Sequence, residues 1–142
     1  MGGINVGRWI LGGLLAGVII NVFEAVGHGA LREQWEAAAT AHNLPTEGGV
    51  ALFVLMGFIA GLVAVWFYAA ARPRFGAGPM TAVKVAVALW IGSYLLAILA
   101  YCAMGLFPTG LLVPWGVISL IEMIVATVAG AWVYKEGAAT AA

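Results

Sequence analysis

Two long stretches without a charged residue constrain this chain more than any other feature of its sequence. They run from position 48 to 71 and from position 85 to 121. The second stretch is interrupted by the turn-forming sequence FPTG at residues 107–110. A helix rises ~1.5 Å per residue, so each uninterrupted part is long enough to cross ~30 Å of hydrocarbon. The sequence therefore predicts membrane-spanning helices.

The apolar segments near the two ends of the chain raise the predicted number of spans to four, at residues 9–31, 50–71, 83–105 and 111–134. A mean hydropathy of +1.06 also lies outside the range of soluble domains. The runs lack the alternating polarity of a barrel strand, whereas a helix satisfies its own backbone hydrogen bonds. We expect an all-α membrane protein, with residues 1–142 forming a single four-helix transmembrane domain.

Charged residues predict the orientation of the bundle. Basic residues flank the first and fourth spans and surround the loop between the second and third: Arg8, Arg72, Arg74, Lys84 and Lys135. The loop after the first span is acidic, with Glu33, Glu36 and Glu47 against Arg32. By the positive-inside rule we expect both termini to face the cytoplasm. We expect the membrane to be a bacterial inner membrane. The basic turn at residues 72–79 anchors this topology, and binding of anionic lipid headgroups there is an alternative role.

Residues 31–43, LREQWEAAATAHN, are mostly helix formers and precede Pro45. We expect helix 1 to extend through residues 32–43 beyond the outer face of the membrane, where this extension either lies on the bilayer surface or packs on the outer turns of other helices.

Small residues recur four positions apart in the predicted spans. The pairs are Gly13 and Gly17, Gly57 and Gly61, Ala88 and Gly92, and Ala126 and Gly130. This spacing lets helix backbones approach closely in lipid, where apolar surface gains little from association. The same motif builds oligomers. The expected partners are therefore the lipid bilayer and either further copies of this chain or the subunits of a larger membrane complex.

Polar residues also share helix faces, because they are separated by steps of three and four. We call this set the polar seam: Asn21, Glu24 and His28 in helix 1, Tyr94 and Tyr101 in helix 3, and Ser119 and Glu122 in helix 4. Counted from the outer boundary, Asn21, Tyr94 and Glu122 lie ~15 to ~18 Å deep. Glu24, Tyr101 and Ser119 lie at ~8 to ~12 Å, and His28 at ~5 Å. The sequence thus predicts two polar layers.

An ionised carboxylate near the bilayer centre costs at least ~2.5 to ~3.5 kcal/mol, so each glutamate needs a proton or a partner. Interhelical hydrogen bonding is worth only ~0.6 to ~2 kcal/mol, which Ser or Asn would also supply. Two explanations stay open: structural hydrogen bonding, or a site that binds a proton, a cation or a small polar ligand for transport or permeation. In the second, Glu122 is the midplane carboxyl, Glu24 the next station outward, and His28 the gate to water.

Other functions have weaker support. A non-catalytic accessory or assembly subunit of a membrane complex is the main alternative, and a haem, quinone or pigment protein is a fainter one. His28 and His42 are ~21 Å apart along a helix, so one chain cannot use both on one haem. A metal site of Glu24, His28 and Glu122 would lack the zincin signature and the carboxylates of a di-iron centre. The cofactor, if there is one, is not identified.

No motif of a hydrolase, a P-loop enzyme or a dinucleotide-binding enzyme occurs, so the sequence argues against an enzyme without deciding the question. Six basic and six acidic residues give no case for nucleic acid. In length the chain resembles small four-helix multidrug exporters and fluoride channels, and Glu24 resembles the first-helix glutamate of the exporters. Glu122 in helix 4 and the segment after helix 1 depart from that outline.

Overall fold

The computed structural model describes residues 3–46 and 48–136, and within those ranges every regular element is helical. The five helices are α1 (Val6–Ala30), α2 (Arg32–Ala41), α3 (Val50–Phe75), α4 (Pro79–Met104) and α5 (Thr109–Val133). Helix α4 contains one π-helical turn, Ile91–Leu95. All but α2 are long and apolar enough to cross a membrane, which confirms the predicted all-α fold and the number of candidate spans.

Helix α1 lies at the centre of the packing and makes its largest interfaces with α3 and α5. Helix α5 contacts α4 as well, and it is the most buried of the four long helices, whereas α4 is the least buried. The interior between these helices is filled by small and medium side chains such as Ala16, Ile20, Val65 and Ala126. Much of the surface of α4 is therefore left to lipid or to a partner.

Glycines allow the close approach of α1 to its two main neighbours. A β-carbon built on Gly61 of α3 would lie 2.5 Å from the carbonyl oxygen of Gly13 and would also collide with the backbone of Gly17. On the other side of α1, a β-carbon on Gly130 would lie 2.7 Å from the carbonyl oxygen of Gly12. These helices thus contact one another backbone to backbone, as small residues permit in lipid.

The remaining small residues divide into two groups. Gly57 lies against the Asn21 side chain, and Ala126 is fully buried in the core. On α4, by contrast, a β-carbon on Gly92 would meet nothing within 4 Å. Both Ala88 and Gly92 are exposed, unlike the small-residue pairs of the other three spans, which are buried.

The start of α1, the end of α3, the start of α4 and the end of α5 lie at one end of the bundle with Arg8, Arg72, Arg74 and Lys84; we call it the basic end. There the backbone N–H of Asn5 donates to the Tyr134 hydroxyl at 3.3 Å, and the N–H of Gly78 donates to the Tyr68 hydroxyl at 3.2 Å. The Arg72 guanidinium lies 3.8 Å from a Glu136 carboxyl oxygen. Which side of the membrane this end faces stays a prediction.

At the opposite end, the structure differs from the predicted continuous extension of helix 1. Helix α1 ends at Ala30, and α2 begins at Arg32 after a break at Leu31, whose φ and ψ are −108° and 13°. Ala38 of α2 is buried, and the Trp35 ring packs against Phe107 and Trp115. Because these aromatic contacts lie beside the ends of α4 and α5, α2 packs on the bundle as a separate helix.

Candidate functional site

The two membrane glutamates meet at a single tyrosine hydroxyl. The Oη atom of Tyr94 lies 3.1 Å from Oε1 of Glu24 and 3.1 Å from Oε1 of Glu122. These three residues come from α4, α1 and α5, so the contact joins three of the four long helices. We call Glu24, Tyr94 and Glu122 the carboxyl–tyrosine triad.

Hydrogen-bond counting limits the protonation of this triad. A tyrosine hydroxyl carries one proton and can also accept a hydrogen bond, whereas an ionised carboxylate can only accept. Tyr94 can therefore donate fully to one of the two glutamates at a time. The second 3.1 Å contact becomes a full hydrogen bond when the other carboxyl carries a proton and donates it to the tyrosine oxygen. The geometry suits three oxygens that share two protons.

The exposed fraction of the side chains rises from Glu122 through Glu24 to His28. Glu122 is 1% exposed, whereas the Glu24 side chain is 30% exposed. The second carboxyl oxygen of Glu24 lies 3.4 Å from Nε2 of His28, one helical turn further along α1. The His28 side chain is 49% exposed and lies two residues before the end of α1. A continuous series of polar contacts therefore links the buried Glu122 to the surface near α2.

An aromatic cluster packs around the triad on the side of α2. Trp115 lies with its ring centroid 5.5 Å from Tyr94 and 5.5 Å from Trp35, and Trp35 lies 5.4 Å from the His28 ring. Phe107 packs on the far side of Trp35 at 5.2 Å. Because Glu24 contacts both Tyr94 and His28, these side chains form a closed ring of contacts through Trp115 and Trp35. We call Trp35, Phe107 and Trp115 the aromatic cap.

Two polar atoms in this cap have no partner within the described ranges. The indole nitrogens of Trp35 and Trp115 are both buried without a hydrogen bond. A buried donor left without an acceptor costs ~1 to ~3 kcal/mol, and ordered water is the usual remedy. The aromatic cap is therefore suited to hold water beside the triad.

The π-helical turn decides which side chains of α4 face the triad. Leu96 N–H bonds to the carbonyl of Ile91 across this turn, and the Ser93 hydroxyl donates to the Leu89 carbonyl at 2.7 Å. The extra residue rotates the following part of α4 by about 100° relative to a regular helix. Tyr94 lies inside the turn, at a kind of irregularity that is frequent in functional sites.

Not every residue of the predicted polar seam joins the triad. The Asn21 amide donates to the carbonyls of Gly17 and Val54, at 2.8 and 3.2 Å, and so ties α1 to α3. The Ser119 hydroxyl accepts from the Trp90 indole at 3.0 Å and donates to the Gly116 carbonyl at 3.1 Å.

Tyr101 packs its ring on Phe107 and has no hydrogen bond among the described residues. Glu24 and Glu122, which were predicted in separate layers, share one hydroxyl. The structure thus brings together Glu24, His28, Tyr94 and Glu122, and it places Asn21, Tyr101 and Ser119 at neighbouring helix contacts.

The aromatic cap was not predicted as part of the site. Trp115 occupies the same helix face as Ser119 and Glu122, with steps of four and three, and Trp35 follows His28 by seven residues. That spacing was the signal that could have identified them. Phe107 lies in the FPTG turn and had no such signal.

A metal centre is not formed by the weak candidates Glu24, His28 and Glu122. In the described part of the chain, no three His, Cys, Asp or Glu side chains lie close enough together to hold a metal ion. The Tyr94 hydroxyl is the group that the two carboxyls share.

Comparison with known proteins gives no independent assignment. No protein-family model, no curated protein and no solved structure matches this chain. A functional interpretation therefore depends on the chemistry of the carboxyl–tyrosine triad and its surroundings.

Proposed function

We propose that this integral membrane protein binds a proton at the carboxyl–tyrosine triad and uses it in transport or permeation across the membrane. The observation that carries the proposal is the position of the Tyr94 hydroxyl, 3.1 Å from a carboxyl oxygen of both Glu24 and Glu122. Three oxygens in this arrangement need a shared proton to make both hydrogen bonds. Gain and loss of that proton are the proposed chemical event.

Electrostatics favour a proton over two bare charges. The two carboxyl oxygens touch one hydroxyl, so they are at most ~6 Å apart, and two full negative charges at that distance repel by ~3 kcal/mol at an effective dielectric constant of ~20. The Arg72 ion pair in the described part of the chain is made with Glu136, and the basic group that contacts the triad is the imidazole of His28, 3.4 Å from the second carboxyl oxygen of Glu24. A proton held between the carboxyls relieves this repulsion at Glu122, whose hydrogen bond in the described part of the chain is with the Tyr94 hydroxyl.

The surroundings favour a proton over a metal cation. A Ca²⁺ ion takes six to eight oxygen ligands, and Mg²⁺ demands near-ideal octahedral geometry. Glu122 is 1% exposed, and its only hydrogen bond in the described part of the chain is to Tyr94. A proton needs no further ligands, and it fits a site built from three oxygens.

The proposed route for the proton runs from Glu122 through Tyr94 and Glu24 to His28. Exposure of the side chains increases from Glu122 through Glu24 to His28, and His28 lies near the end of α1. Water held by the aromatic cap would extend the route between Glu24 and the surface. Toward the basic end, α5 continues with the buried residues Met123, Ala126 and Thr127. The site is thus proposed to open toward the α2 end, and a full transport cycle would need a rearrangement that opens the other side.

Infrared difference spectroscopy on the purified protein tests proton binding without knowledge of a transported substrate. A pH titration should show the carbonyl band of a protonated carboxyl, and this band should change in Glu24→Gln and in Glu122→Gln. Glu33→Gln is the matched control, because Glu33 is an exposed residue of α2 outside the triad. A titration that is the same in wild type and in both triad variants would rule out the proposed site.

Liposome flux then tests the use of the site. We expect proton flux driven by a potassium diffusion potential in wild type and in Glu33→Gln, and its loss in Glu24→Gln and in Glu122→Gln. Equal flux in all four proteins would refute a transport role and would leave proton binding to be judged by the infrared result.

A second proposal, that this chain is an accessory subunit or forms an oligomer, is supported by α4. This helix is the least buried of the four, and its Gly92 is exposed with open space beside it. A cysteine at position 92 in a chain lacking Cys102 should form a disulfide-linked dimer in native membranes if α4 packs on a second copy. Cross-linking to a different protein would favour the accessory subunit, and no cross-link would count against both.

A further inference from the structure

A groove between α3 and α4 opens near the basic end, far from the triad. Its volume is about 560 Å³, and seven of its eight lining residues have apolar side chains of Phe, Ala, Val or Leu, with Arg74 as the eighth. Phe67 lies seven residues before Arg74 on α3, which corresponds to ~10 Å along the helix axis. The groove therefore follows the direction of a lipid acyl chain in a membrane.

The mouth of the groove is basic. Arg74 lines it in the last turn of α3, and it makes no ion pair among the residues that the structure describes. The Lys84 ammonium lies 5.4 Å from the centroid of the Phe75 ring, and Phe75 is itself a lining residue. Two cations thus lie at the edge of an apolar groove, at the end of helices that would reach the headgroup region.

The neighbouring Arg72 differs from Arg74 because it has a carboxylate partner. Arg72 contacts the Glu136 carboxyl and lies 5.7 Å from the centroid of the Tyr134 ring. Its charge is engaged within the chain, whereas Arg74 has no carboxylate partner in the part of the chain that the structure describes. A positive mouth above an apolar floor is complementary to one class of molecule, an anionic phospholipid.

We propose that the α3–α4 groove is a binding site for one anionic phospholipid. Its phosphate contacts Arg74 and Lys84, and one of its acyl chains lies in the groove against Ala88 and Leu89. This proposal is independent of the proton site, because the groove shares no residue with the triad or the aromatic cap. It also gives the basic turn a role in binding, in addition to its role in topology.

Native mass spectrometry of the full chain in detergent tests this proposal, with phosphatidylglycerol and phosphatidylcholine as probes. Each basic residue near a membrane surface contributes an attraction that corresponds to about fivefold in affinity, so two give about thirtyfold. We expect one phosphatidylglycerol to bind about thirtyfold more tightly than phosphatidylcholine. The double variant Arg74→Gln/Lys84→Gln should abolish this preference, and Arg8→Gln, a change at the same end outside the groove, should preserve it.

Two further arms locate the acyl chain. Ala88→Phe should fill the groove and weaken phosphatidylglycerol at least tenfold, whereas Gly92→Ala, on the exposed face one turn further along α4, should leave binding unchanged. Glycerol phosphate, which has the headgroup charge without chains, should bind far more weakly than the lipid. Circular dichroism confirms that the variants are folded. Equal binding of the two lipids to wild type, or full binding by Ala88→Phe, would overturn the proposal.

Discussion

Removal of the Tyr94 hydroxyl is the sharpest test of the triad, because among the described residues this oxygen connects the two glutamates. Tyr94→Phe keeps the ring and its contact with Trp115, at 5.5 Å between centroids, and deletes both 3.1 Å contacts. Glu122 would lose its only hydrogen-bond partner in the described part of the chain while staying 1% exposed. The change therefore affects hydrogen bonding with little effect on packing.

The expected loss can be worked out from the number of bonds. Interhelical hydrogen bonds in membrane proteins contribute ~0.6 kcal/mol on average and up to ~1.7 kcal/mol. Two of them give ~1 to ~3 kcal/mol, and the upper part of that range applies because a buried acceptor left unpaired adds its desolvation cost. We therefore expect Tyr94→Phe to lower the free energy of unfolding by ~2 to ~3 kcal/mol.

Tyr101→Phe is the matched control. It removes the same atom from the same helix, but the Tyr101 hydroxyl has no hydrogen bond among the described residues, and its ring keeps the edge-to-face contact with Phe107 at 5.3 Å. Its effect should stay within ~0.5 kcal/mol. Unfolding in mixed micelles with increasing dodecyl sulfate, followed by circular dichroism, measures both variants. If Tyr94→Phe and Tyr101→Phe were equally stable, the hydroxyl would not hold the two carboxyls, and the argument for a shared proton would fail.

Three other predictions address the helix contacts and the topology. Gly61→Val should destabilise the bundle by at least ~1 to ~3 kcal/mol, because its β-carbon would collide with the α1 backbone. Gly92→Val should be tolerated in a monomer, because a β-carbon there meets nothing within 4 Å. Equal effects of the two variants on unfolding would contradict the packing of α1 on α3. Asn21→Leu should lower the free energy of unfolding by ~1 to ~2 kcal/mol, because two hydrogen bonds to backbone carbonyls are lost. It should leave the infrared titration unchanged, and an altered titration would place Asn21 in the proton site. In a chain without Cys102, a cysteine at position 33 should react with an impermeant maleimide from outside the cell and one at position 77 should not, and the reverse result would invert the predicted topology.

Several features of this protein could be predicted from the sequence because they depend on local composition and helical spacing. A bilayer leaves an apolar chain few ways to satisfy its backbone, so uncharged runs of ~20 residues specify membrane helices by themselves. Steps of three and four similarly show that Glu24 shares a face with His28, and that Ser119 shares one with Glu122. These relations stay within one helix, where geometry is regular.

The relations between helices could not be predicted in the same way. Periodicity does not specify how far each helix is rotated about its axis or how deep it sits beside its neighbour. The contact of Gly61 with the α1 backbone sets the position of α3, and the π turn at Ile91–Leu95 changes the rotation of α4 in a way that no spacing in the sequence announces. Depth counting therefore separated Glu24 from Glu122, although the length of the Tyr94 side chain lets one hydroxyl reach both.

What the sequence by itself determined is that this chain carries four apolar helices and that polar groups occur within them on defined faces. Only the tertiary structure decided that the two glutamates and Tyr94 form one unit, that Trp35 of α2 packs on Trp115 beside it, and that Asn21 serves the α1–α3 contact instead. The physical reason is that the cost of a polar group in lipid requires some partner, whereas close packing of the helices selects which partner lies within reach.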